Sequence, residues 1–191
     1  MKLWSFQYEE VWETIQKEGF HRVKDDFVDE DFAVKYKWLV AQMHKKVGPP
    51  PEGVTYPIWA YARRDGVDGK RPDLRHNEYG KKGDKLVLLE LEIPEERLCL
   101  SDLDAWNIVL LDGYCCYGDD SEDKWNRRRK WLNSLPEVTR SLAIKSSWHE
   151  IFNIAKEPFD NGFISYGNWV QATFWEIRKE DVVSVKHFIA K

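Results

Sequence analysis

The 191-residue chain predicts one α+β domain over residues 1–191, with helices inserted between mainly antiparallel strands. Two observations predict it. Short β-type runs stand at the start, middle and end of the chain, and helical periodicity fills the gaps between them. The regular strand–helix alternation of a parallel sheet is missing. No linker or internal repeat divides the chain, and its length is that of one ordinary domain.

Residues 3–7 (LWSFQ) read as a first strand. Residues 8–18 follow as a helix, with Val11, Trp12 and Ile15 on one face and Gly19 at its end. From 31 to 47, Phe32, Tyr36, Leu39, Val40, Met43 and Val47 keep helical spacing until Gly48 and three prolines break it. Residues 56–63 (YPIWAYAR) form a strand that tolerates Pro57 near its start. Residues 64–84 form a glycine-rich loop, expected to be the most mobile internal segment. The clearest strand is 85–93 (KLVLLELEI), closed by Pro94.

Ser101 is expected to cap a helix reaching about Leu111, with Asp102 and Asp104 in its first turn. A further helix, 121–135, opens on Asp119, Asp120, Glu122 and Asp123 and carries Arg127, Arg128, Arg129 and Lys130 later. That polarity suits the helix dipole. Residues 147–154 suggest a short helix and 159–168 a turn-rich stretch; strands 169–177 and 182–188 close the chain.

Composition excludes several functions. Lysine plus arginine number 29 against 33 acidic residues, a net charge of −4, which disfavours broad charge-driven nucleic-acid binding. A local patch around the RRRK run leaves room for it. No run approaches the ~18 apolar residues of a membrane helix, so no membrane partner is expected. The opening MKLWSFQYEE turns acidic too early for a secretory signal, which suggests the cytoplasm. Cys99, Cys115 and Cys116 match neither a redox nor a zinc pattern, so free thiols and no metal site are expected. Glycine-rich phosphate loops, a GxSxG elbow and an HExxH pair are absent from the sequence.

Ten Trp, eight Tyr and nine Phe are the unusual feature. Most suit a core of large amphipathic rings, but a few could line a pocket for a planar or sugar ligand. Trp4, Trp59, Tyr61 and Trp175 are the candidates. Within the loop, the guanidinium of Arg75 suits a phosphate or carboxylate. In the strand VQATFWEI, alternation sets Val170, Ala172 and Phe174 against Gln171, Thr173 and Trp175. The second set reads as a ligand-facing wall. Glu90 and Glu92 likewise share one face of their strand, which a half-solvated sheet accommodates.

The blocks LWSFQ, YPIWAYAR, PDLR, LVLLELEIP, LCLSDLDAW and VQATFWEI, in this order, resemble a bacterial family, domain of unknown function 3841. More distantly, LWSFQ…WETIQKEGF and VQATFWEIRKEDVVSVKHF resemble the opening and closing units of ADP-ribosyltransferase-fold domains. That second resemblance implies an ADP-ribosyltransferase-like topology and a nicotinamide nucleotide such as NAD held by Gln7, Tyr61 and Gln171. If the chain is an enzyme, it implies a transferase of that type. Glutamine can hold a ribose hydroxyl but cannot serve as a general base. The expected function is therefore nucleotide-type ligand binding in an aromatic pocket. Two rivals stand beside it: a module stacking sugars or unpaired bases on exposed tryptophans, and a protein-interaction domain.

Overall fold

The computed structural model describes residues 1–23, 30–75, 79–116, 121–154, 158–160 and 165–191. β1 (Lys2–Tyr8) leads into α1 (Glu9–Glu18) and the short β2 (Phe20–His21). α2 (Glu30–Val47) precedes β3 (Ile58–Arg64), β4 (Val67–Asp68) and β5 (Lys85–Glu92). β6 (Cys99–Asp102) runs directly into α3 (Leu103–Leu110), followed by α4 (Glu122–Ser134) and α5 (Glu137–Ser147). A 3-10 turn (Trp148–Phe152) leads to β7 (Phe159–Asp160), β8 (Ser165–Tyr166), β9 (Val170–Phe174), β10 (Ile177–Arg178) and β11 (Val182–Ile189).

The main sheet has the order β11-β5-β1-β3-β9-β6, with β4 beside β3, and every described pairing is antiparallel. β10 pairs with β2, and β7 with β8, as separate two-stranded ladders. The α+β expectation holds at this level. Among the described residues, no helix is long and apolar enough to cross a membrane.

Both sheet faces are covered, which explains why β5 is an almost unbroken apolar run. On one face Leu3, Ala60, Val87, Leu89, Leu91, Ala172 and Phe174 pack with Ile15 of α1. Gly19 ends α1 in the left-handed region (φ 86°) and returns its N–H to the Ile15 carbonyl. The opposite face has two separate covers. Towards β6, Trp59, Cys99 and Trp175 lie beneath α2, α3 and the 3-10 turn, which contribute Leu39, Met43, Trp106 and Trp148. Towards β11, Leu86, Phe6 and Phe188 lie beneath Tyr79 and Leu74 of the long loop.

Several local expectations need correcting. Ser101 belongs to β6; Asp102 is the cap of α3, its carboxylate accepting from Ala105 N at 3.0 Å. The helix foreseen over 121–135 stops at Ser134, and Pro136 separates it from α5, which the sequence reading missed. The 147–154 helix is a 3-10 turn. The 169–177 strand is two elements, because after Phe174 the chain leaves the main sheet to pair Ile177 with His21. Asp119, Asp120 and part of the turn-rich stretch lie outside the described residues.

Candidate functional site

Antiparallel registration builds the site. Trp4 of β1 stands opposite Tyr61 of β3, Tyr61 opposite Gln171 of β9, and Gln171 opposite Ser101 of β6. Directly opposed residues share a face, so these four form one row across four strands, about 14 Å long at the usual strand spacing. Trp4, Tyr61 and Gln171 of this row are the floor of a 300 Å³ cleft between the two covers of that face. Trp59 and Leu103 wall it on the helical side, and Phe6 and Tyr79 on the loop side.

The rings hold one another in place. Phe6 stacks on Tyr79 with centroids 3.9 Å apart, and meets the Tyr61 ring edge-on at 6.2 Å. Buried Arg64 ties sheet to loop. Its guanidinium lies 4.9 Å from the Tyr61 ring and 4.7 Å from that of Trp169, and it donates to Tyr79 Oη at 2.8 Å. A register shift between Tyr61 and Arg63 brings Arg64 to this side of β3. The Trp4 indole donates to the Gly69 carbonyl at 2.8 Å, fixing the loop's near end.

Gln171 is the polar group of the floor. It is 6% exposed, and its Nε2 donates to Ser101 Oγ at 3.3 Å. Among the described residues lining the cleft there is no carboxylate, imidazole or thiol. The arrangement can stack a flat ring and hydrogen-bond its edge.

Of the seven residues singled out from sequence, Trp4, Trp59, Tyr61 and Gln171 come together here. The other three stand elsewhere. Gln7 is three positions from Trp4 and so points to the opposite face, where its amide donates to Ser5 Oγ at 2.8 Å. The Arg75 side chain is 85% exposed and is turned back on Asp73 of its own loop. Trp175 is buried beneath α2, its indole bonded to the Gly48 carbonyl at 3.1 Å. Sequence reasoning missed Phe6, Tyr79 and Leu103. Alternation from Trp4 could have found Phe6, whereas nothing in a loop sequence announces that Tyr79 folds back on the sheet.

A larger cavity, 480 Å³, opens between α3 and α4 beside Asp104, Tyr114 and Trp125. Burial, then the neighbouring Asp102, pushes the Asp104 carboxyl up. None of the residues singled out from sequence as ligand-binding lines it. Glu90 lies outside both cavities, held below the usual carboxylate range by bonds from Lys2 and Ser184.

The sequence profile of the family described as Domain of unknown function (DUF3841) matches residues 2–183. The chain belongs to the DUF3841 family. Searches of curated proteins and of solved structures return no match. The match begins at the first residue of β1 and ends within β11, so every strand that supplies the cleft of this DUF3841 chain lies inside it.

Proposed function

We propose that this DUF3841 chain binds a flat, nucleobase-type ligand in the cleft, stacking it against the aromatic walls above the Trp4–Tyr61–Gln171–Ser101 row. The row is the observation that carries the reading: chain-distant Trp4, Tyr61 and Gln171 converge on the cleft, a phenol and an amide among them, between walls made mostly of rings. A volume of 300 Å³ stands at the small end of ligand pockets, about 300–1,000 Å³. It suits one ring system with its sugar, such as one nucleoside end of NAD, with any further phosphate and nucleoside outside.

The resemblance to ADP-ribosyltransferase-fold domains supports the nucleotide class, since it assigns Tyr61 and Gln171 to nucleotide contact. Glutamine in place of an acid favours binding over group transfer. A protein partner is the second reading, favoured by Trp131, Val138 and Leu142, which α4 and α5 leave 45%, 74% and 62% exposed.

Calorimetry and thermal unfolding with nucleosides, mononucleotides and NAD test the proposal. A ligand at 100 times its Kd adds about 2.7 kcal/mol, or about 5–10 °C in Tm for a domain of this size. Tyr61→Leu should abolish the shift while the protein remains folded. No heat and no shift with any of these ligands at millimolar concentration would remove the nucleobase reading.

A further inference from the structure

The cleft floor contains a buried acceptor to which none of the described residues donates. Gln171 is 6% exposed, lines the cleft and spends one Nε2 hydrogen on Ser101 Oγ at 3.3 Å. Among the described residues nothing donates to its Oε1, and its second Nε2 hydrogen is also uncommitted. Buried carbonyl oxygens are seldom left in this state unless a ligand or water completes them. Ser101, itself 1% exposed and opposite Gln171 in the sheet, is the acceptor of that bond.

We infer that Gln171 reads the edge of the bound ring and selects one carrying an amino group beside a ring nitrogen. This rests on the reading of the cleft as a ring-binding site. Side chains stand roughly perpendicular to a sheet. A plate held between Trp59 on the helical side and Phe6 and Tyr79 on the loop side therefore turns an edge, not a face, to the floor where Gln171 lies. Gln171 Oε1 then accepts from the exocyclic amino group, and the free Nε2 hydrogen donates to the adjacent ring nitrogen. Adenine and cytosine offer that donor–acceptor pair. Hypoxanthine and uracil reverse both positions, setting carbonyl oxygen against Oε1 and ring N–H against Nε2–H.

Calorimetric titration of the full chain with adenosine, inosine, cytidine and uridine tests the inference without any substitution. Paired recognition of this kind separates bases by about five- to 150-fold. Adenosine and cytidine should bind at least about five-fold more tightly than inosine and uridine. In Gln171→Met, which keeps the side chain's length but neither hydrogen-bonding group, the four affinities should converge to within about two-fold. Equal binding of amino and keto members by the wild type, or a keto preference, overturns the inference and leaves ring binding intact. If none of the four binds at millimolar concentration the inference falls, and the ring-binding reading falls with it when mononucleotides and NAD are silent too.

Discussion

Replacing Asp102 with alanine should cost about 2–4 kcal/mol at pH 7. Asp102 is fully buried where β6 becomes α3, and its carboxylate accepts from two backbone donors, Ala105 N at 3.0 Å and Gly167 N at 2.6 Å. Losing an N-cap costs about 1 kcal/mol. The second bond closes a 65-residue separation in the chain. Its loss strands the N–H of Gly167, a left-handed residue (φ 72°), at about 1–3 kcal/mol for a buried donor. Asp102→Asn should fall between, because its Oδ1 can keep one donor while its amide N–H confronts the other. Urea unfolding followed by Trp fluorescence reads this as a midpoint lowered by about 1–2 M for Asp102→Ala, at unchanged slope near 2 kcal/mol/M. The pH dependence checks the electrostatics. Burial outweighs the backbone bonds and holds the Asp102 carboxyl above its ordinary value. The folded chain therefore binds that proton more tightly than the unfolded one. Stability from Asp102 is full below about pH 4, its unfolded value, and declines as pH rises through the higher folded value. The gap between wild type and Asp102→Ala should accordingly narrow from pH 4 to pH 7. A loss under 0.5 kcal/mol, or a gap that widens with pH, would refute the argument.

Two further outcomes follow from buried charge and buried sulfur. Burial pushes the Glu176 carboxyl up, but hydrogen bonds from Arg178 at 2.6 Å and Arg22 at 2.8 Å outweigh it and hold it below the usual range. Its contribution is complete above about pH 4.3 and is lost as pH falls through the lower folded value. Glu176→Gln should cost about 1–2 kcal/mol at pH 7 and flatten the acid limb of the urea-stability curve; an unchanged limb would count against it. Burial pushes the Cys99 thiol up to about 11 and that of Cys115 to about 12. Iodoacetamide at pH 8 should therefore label Cys116 first by peptide mass mapping, and equal labelling of Cys99 would contradict the burial argument.

Much of the scaffold was legible because it repeats locally. The apolar run of β5, the α2 stripe ending at Gly48 and the small core-facing residues of β9 follow from side-chain periods of 2.0 and 3.6 residues, which backbone geometry imposes on any chain. The same alternation put Trp59 with Tyr61 and Gln171 with Thr173. The sequence reading nonetheless set Gln7 with Trp4, against the same rule, since an odd separation on a strand means opposite faces.

What escaped the sequence are contacts between segments far apart in the chain. Trp4 and Gln171 share a cleft only because β1 pairs with β3 and β3 with β9 in one register, and slipping any strand by one residue would turn its side chains to the other face. Arg64 reaches the Tyr79 hydroxyl through a bulge that local propensity does not reveal. Asp102, rather than Ser101, became the helix cap because pairing with β9 runs through Asp102, so the helix starts only at Leu103. Periodicity therefore determined which residues share a face of each strand or helix. Which faces meet, and hence where a cleft opens, was decided by strand pairing and burial across the whole chain, where hydrogen-bond registry and the removal of large rings from water are satisfied together.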